Sequence, residues 1–397
     1  MKGVQSRMIC QAVLSNPFHP EYGVATIPFP LPREEYDHSM EIMESLEIGD
    51  AVRQDCKVEE IIGCYPVLKR LEGQSVNVDE LDYLAKRLDS FCVGEDAQFQ
   101  AMAEKLDLTE IKDFINLTFC CQQATVITDF SDLEQVGKDH YMNLNGGCAK
   151  IEDFNALNGE ETARLLIDSG AGVITPYGVV YDNGMELKPL YNGRVFPPYL
   201  YEVYPLVLEV SPLEDTNDEI ILCLPMAEKQ LEHAIARYGI ESAEQLRFHP
   251  DSILSQAFCD LPALEHESLS DLNKMCEAIA RLDQNELPKL GAAITFANPQ
   301  NAMQIKRLAE NLELFEFIPN VSTPEEYGRY MIEQSGHFEY DPNLEGFYDF
   351  KGYARQRMSW EQGQFVEGGY ISYQGTQSLD KVMSGAEHSL GFEQQLI

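Results

Sequence analysis

The sequence predicts an α+β chain, elongated and multi-domain, built of two tandem units that each have small mixed α/β parts flanking a helical part. Three observations lead there. Stretches with helical apolar spacing alternate with short strand-like runs closed by proline or glycine. Two long segments overlay at a constant offset of 191 residues without a gap. A length of 397 residues with 44% hydrophobic and 10% aromatic content suffices for two to four cores and excludes a charged disordered chain.

Residues 1–23 read as an N-terminal leader. Met8-Ile9-Cys10 and Ala12-Val13-Leu14 are interrupted by Gln11 and followed by Asn16-Pro17, too short and too weak for a secretory apolar core. No run approaches the roughly 20 apolar residues of a bilayer span. A cytoplasmic location is expected, with ten reduced, mostly buried cysteines in place of disulfides.

The first α/β part, 24–74, holds the strand-like run Ile27-Pro28-Phe29-Pro30-Leu31 and then an acidic helix from Arg33 to Leu46. The first helical part, 75–141, opens with Val78, Leu81, Leu84, Ala85, Leu88 and Phe91 at helical spacing. That stripe is a buried face, so Glu80, Asp82, Lys86, Arg87 and Asp89 are expected to face water. The largely apolar run Ile115 to Cys121 belongs in a core, and Ser131-x-x-Glu134 reads as a capping box opening another helix. Residues 142–219 form a mixed α/β part and linker. Val173 to Tyr181 is strand-like with turn signals at Gly178 and Asn183-Gly184, and the polar stretch Ser211 to Asp218 is the candidate linker.

The same order then returns. The second α/β part, 220–264, repeats the proline-closed strand as Leu222-Cys223-Leu224-Pro225-Met226 and the helix as Glu228 to Tyr238. In the second helical part, 265–332, Leu269 to Met275 meets Val78 to Leu84, and Ile318, Ser322, Glu325 and Gly328 meet Ile127, Ser131, Glu134 and Gly137. Pro324 falls in the first turn of the second capping box, where its missing N–H costs little. The C-terminal mixed part, 333–397, has its strand at Gly369 to Tyr373.

The formal net charge of −37 is spread along this whole length, with −15 between Val24 and Tyr141 and −9 between Met142 and Glu219. Such self-repulsion serves either solubility or a cationic partner. Nucleic-acid binding is disfavoured, because the few basic pairs make no stripe that could neutralise phosphates. Catalysis is disfavoured as well: the sequence has no His-Glu-x-x-His, no Gly-x-Gly-x-x-Gly, no phosphate-binding lysine loop and no Gly-x-Ser-x-Gly. No catalytic residue, cofactor or metal site is assigned, and neither histidines nor cysteines stand at zinc-ligand spacing. His38 and His233 match across the repeat, each within an acidic helix as a solvated or carboxylate-paired imidazole.

Asn77-Val78-Asp79-Glu80-Leu81-Asp82-Tyr83-Leu84-Ala85-Lys86-Arg87-Leu88, followed by Phe114-Ile115-Asn116-Leu117 and Cys120-Cys121, resembles the middle of the ArdA antirestriction proteins. Tyr327-Gly328-Arg329-Tyr330, Phe350-Lys351-Gly352-Tyr353-Ala354-Arg355 and Gly363-Gln364-Phe365 resemble that family's last domain. The resemblance implies an elongated, non-enzymatic mimic of bent B-form DNA that occupies the DNA-binding groove of a type I restriction-modification enzyme. This chain is about twice as long as that pattern, so the expected state is either a homodimer or a monomeric pseudo-dimer.

The charge is compatible with mimicry, since B-DNA carries one charge per roughly 1.7 Å of axis and 37 charges match about 60 Å of duplex. Carboxylates three and four apart on a helix lie about 5 to 6 Å from each other. On that ground the candidate partner-binding acids are Glu34, Glu35, Asp37, Glu41 and Glu44 on the first helix, Asp79, Glu80, Asp82 and Asp89 on the next, and Glu325 and Glu326 in the second unit. An acidic scaffold for another basic or DNA-binding protein is the alternative function.

Overall fold

The computed structural model describes residues 7–200, 202–212, 220–240, 246–253 and 264–385. The chain divides into two compact bodies. Of the described residues, the N-terminal body takes those of Gly3–Tyr201 and Met226–Glu241, and the C-terminal body those of Glu202–Pro225 and Ser242–Ile397.

In the N-terminal body, β1 (Cys10–Ser15) lies between β2 (Val24–Phe29) and β3 (Cys56–Gly63), with β4 (Ser75–Val76) beyond β3. All pairings are antiparallel, and a bulge interrupts the β1–β3 ladder between Val13 and Leu14. The segment read as a leader therefore supplies the middle strand. Ala12 and Leu14 are buried within it, at the alternate spacing of one sheet face.

Four helices follow: α1 (Arg33–Glu44) after β2, then α2 (Val78–Asp89), α3 (Glu95–Lys105) and α4 (Ile111–Leu117). The predicted stripe holds, with Val78, Leu81, Leu84, Ala85 and Leu88 buried. Phe114, Ile115, Leu117, Cys120 and Cys121 join the same core, and the two cysteines are free thiols. After them come β5 (Thr125–Ile127), α5 (Leu133–Leu144), α6 (Ile151–Ala156), α7 (Gly159–Asp168), β6 (Val173–Thr175) and β7 (Gly178–Tyr181), with a separate sheet of order β5-β7-β6.

The C-terminal body has β8 (Leu206–Pro212) between β9 (Ile220–Leu224) and β10 (Leu246–Ile253). The predicted linker overlaps the end of β8, and its remainder lies outside the described residues. The helix between β9 and β10, α8 (Glu228–Arg237), belongs to the N-terminal body. After β10 come α9 (Leu269–Ala280), α10 (Glu286–Ala297), α11 (Ala302–Glu310), β11 (Phe315–Pro319), α12 (Pro324–Glu333), α13 (Phe350–Glu361), β12 (Gln364–Val366), β13 (Gly369–Tyr373) and α14 (Leu379–Ser384).

From α9 to β13, elements of the C-terminal body begin 191 residues after α2, α3, α4, α5, α7, β6 and β7. Strand pairing keeps that offset, for Val126 faces Val180 as Phe317 faces Ile371, and Val173 faces Val180 as Gln364 faces Ile371. The sheet order β11-β13-β12 has the same form as β5-β7-β6. Closest approach between helices repeats too. A Cβ on Gly137 of α5 would stand 1.8 Å from the Gly159 carbonyl oxygen at the start of α7, and one on Gly328 of α12 would stand 1.9 Å from that of Phe350 in α13.

The capping boxes differ from the sequence reading by one residue. Asp132 caps α5 by accepting from the Gln135 N–H, and Thr323 caps α12 in a full box with Glu326. Aspartate and threonine offer the same short-armed acceptor as serine. Pro324 then stands first in α12, and Ser322 lies outside the helix.

Candidate partner-binding surface

The α1 sequence separates two faces. Tyr36, Met40 and Met43 are buried at helical spacing, which turns Glu34, Glu35, Glu41 and Glu44 to solvent. Glu34 lies 3.2 Å from Arg33, and His38 lies 3.7 Å from Glu41 with both side chains well exposed. Asp37 is used differently: its carboxylate accepts the N–H groups of Glu228 at 3.2 Å and Lys229 at 2.9 Å, capping α8. An anion at a helix N-terminus satisfies orphan donors and complements the dipole. The Lys229 ammonium reaches back to Glu44.

The α2 carboxylates are where the structure corrects the sequence reading, because Asp79, Glu80 and Asp82 are buried. Asn77 starts the helix, its side-chain oxygen accepting from the N–H groups of Asp79 at 2.9 Å and Glu80 at 3.3 Å while Glu80 returns to the Asn77 N–H. The Asn77 amide donates to the carbonyls of Asp50 and Arg53. Tyr191 donates its hydroxyl to Glu80 at 2.8 Å. Asp82 accepts from the Leu31 N–H at 2.7 Å and pairs with Lys86 at 2.9 Å. These acids escape the solvent because each has donors waiting inside. Asp89 is half-buried.

Asp79 is the centre of the network. Tyr36 donates its hydroxyl to one carboxylate oxygen, and His233 meets the other at 2.9 Å. Arg237 Nε lies 3.6 Å from that second oxygen, within ion-pair range but long for a hydrogen bond. The Arg237 guanidinium also donates to Asn77 Oδ1 at 2.5 Å, to the Tyr191 hydroxyl at 3.2 Å and to the Arg194 carbonyl at 2.8 Å, and it lies over the Phe196 ring at 4.3 Å. Burial, the largest influence on Asp79, would raise its pKa. The hydrogen bond and charge of His233, the charge of Arg237 and the Tyr36 hydroxyl outweigh it and hold the carboxyl below its ordinary value. Asp82 is the contrary case, raised by burial that Lys86 only partly offsets.

In the C-terminal body Glu325 and Glu326 are both exposed. Glu326 accepts from the N–H groups of Ser322 and Thr323 and from the Ser322 hydroxyl, and these bonds, that of Ser322 first, lower its pKa. It therefore anchors a helix start, while Glu325 beside it points outward.

The structure thus leaves Glu34, Glu35, Glu41 and Glu325 as outward-facing candidates. It brings Asp37, Glu44 and Asp79 together with α8. Sequence reasoning passed over Lys229 and Arg237, and named His233 as a solvated or carboxylate-paired imidazole without its partner, Asp79. The signal was there, three cationic residue types at four-residue spacing on one helix of an acidic chain. Among the described residues, no group of three or more His, Cys, Asp or Glu could hold a metal ion, and no helix is long and apolar enough to cross a membrane.

Comparison with curated proteins gives no match. Comparison with protein families does: residues 219–372 match the family model described as Antirestriction protein (ArdA), so this segment of the chain is similar to that family.

Proposed function

We propose that the chain is a duplicated ArdA-type protein, a non-enzymatic DNA mimic that inhibits type I restriction-modification enzymes by occupying their DNA-binding groove. The observation that carries this reading is the family match over residues 219–372. The recurrence of element bounds and strand pairings 191 residues apart supports extending it to the first half. The composition supports mimicry, with 66 acidic against 29 basic side chains. Glu34, Glu35, Glu41 and Glu325 are the carboxylates we assign to the partner-facing surface, with a charged groove as the complementary field. In a duplicated chain, two copies of the single-unit pattern are present without a second protomer. A monomeric pseudo-dimer is the state we assign, in the cytoplasm where its target acts.

The experiment is a restriction assay in cells. A host with a type I system receives unmodified phage with and without expression of this protein. The reading requires plating efficiency to rise toward that of a restriction-deficient host. Unchanged restriction by a folded, well-expressed protein would reject it, and capture of some other basic protein would favour the acidic scaffold.

A further inference from the structure

We propose that α8 is the obligate closing piece of the N-terminal body, a helix supplied from beyond residue 225 without which that body cannot keep its carboxylates buried. The chain on either side of Met226–Glu241 belongs to the C-terminal body, yet this segment belongs to the N-terminal one. Its charges are sorted accordingly. Lys229, His233 and Arg237 turn to Glu44, Asp79, Asn77 and Tyr191, whereas Glu228 and Glu232 are exposed. Leu231 and Ile235 are buried as well, on the face of the helix opposite that cationic row.

Remove α8 and Asp79 keeps one protein donor, the Tyr36 hydroxyl, and loses the His233 and Arg237 side chains that offset its burial. An uncompensated buried charge is among the most destabilising features a fold can have. Asn77 would lose the guanidinium on its oxygen, Phe196 the cation on its face, and Asp37 the two amides it caps.

The docking is also one-way. By sequence α8 resembles α1, with His233 matching His38, but where α8 has Lys229 and Arg237 the matching positions of α1 are Glu34 and Ile42, both exposed. On the receiving side, 191 residues beyond Asn77, Asp79, Glu80 and Asp82 stand Ser268, Ser270, Asp271 and Asn273. Ser270 is exposed where Asp79 is buried. At the matched positions among the described residues, neither the cationic row nor its buried carboxylate is repeated. A chain ending before α8 contains a whole first unit by sequence and an unfinished one by chemistry, whatever its partner proves to be.

Hydrogen exchange on the full-length protein tests this. Arg237→Met should raise exchange about 10²- to 10³-fold at protected amides of α8, α2 and residues 191–196 together. The amides of α9 and α12 should keep their rates. Adding Asp79→Asn to Arg237→Met should restore part of the protection, since it removes the stranded charge. Exchange that rises in α8 alone, or strictly additive effects of the two substitutions, would overturn the proposal. Should Arg237→Met fail to fold, Asp37→Asn gives the same reading at lower amplitude: faster exchange in both α8 and α2 supports it, and faster exchange in α8 alone contradicts it.

Discussion

Asp79 and His233 stand 154 residues apart in the chain and meet at 2.9 Å in the interior of the N-terminal body. Their contact ties the start of α2 to a helix that follows the whole first unit. Asp79, Glu80 and Asp82 share the same buried helix start, which takes three carboxylates off the surface.

Replacing Asp79 by alanine should destabilise the N-terminal body by about 3–5 kcal/mol, since Arg237 and His233 would be left without their anion. Asp82→Asn should cost much less, because an asparagine oxygen can still accept from the Leu31 N–H. Urea titrations followed by exchange of α2 amides would rank the two variants, and equal losses would contradict the network.

The two aspartates should also respond oppositely to acid. Asp79 has its folded pKa below the unfolded value of about 3.9, so its stabilisation is complete above that pH and is lost as pH falls through the lower folded value. Asp82 has a raised folded pKa, so its ionisation opposes folding and protonation relieves that penalty as pH falls through the raised value. Stability of the N-terminal body should therefore hold or rise slightly on approach to about pH 4 and fall below it. In Asp79→Asn the component of the acid loss due to this residue should be missing, which a pH series of the same titration would show.

Gly137→Ala and Gly328→Ala should each destabilise their own body by about 1–3 kcal/mol, because the new methyl group has no room against the carbonyl oxygen of Gly159 or Phe350. Matched losses in thermal unfolding would bear on the equivalence of the two helix pairs. A silent substitution at either site would remove that helix crossing from the comparison.

Much of this arrangement was legible in the residues. Val78 to Leu88 announced its buried stripe, and the constant offset anticipated helices and strands at matching positions. The helix from Arg33 was legible as an acidic helix, whereas its buried face of Tyr36, Met40 and Met43 came from the structure. What could not be read was the burial of Asp79, Glu80 and Asp82, because local pattern treats a charge between apolar residues as solvent-facing. Their partners Tyr36, Tyr191, His233 and Arg237, and the Leu31 N–H for Asp82, come from distant segments that only tertiary structure brings near. The strand Cys10–Ser15 was missed for a related reason: it is short, and its pairing with β2 and β3 is what gives it meaning.

Single replacements of the outward acids should change inhibition by less than about fivefold, since exposed, salt-screened charges each contribute little. Reversing Glu34, Glu35 and Glu41 together to lysine should weaken it far more. Asp37 is left out of that block because it caps α8. Inhibition curves for singles and triple would check this, and loss of activity in one single variant that remains folded would point to a keyed contact instead.

The central claim is that this protein takes the place of DNA, and displacement measures that most directly. A purified type I methyltransferase is bound to labelled duplex, and the protein is titrated in at two ionic strengths. Mimicry predicts that duplex is released as the protein binds, that the protein alone binds no duplex, and that its affinity falls as salt rises. Inhibition of the enzyme with the duplex still in place would contradict it.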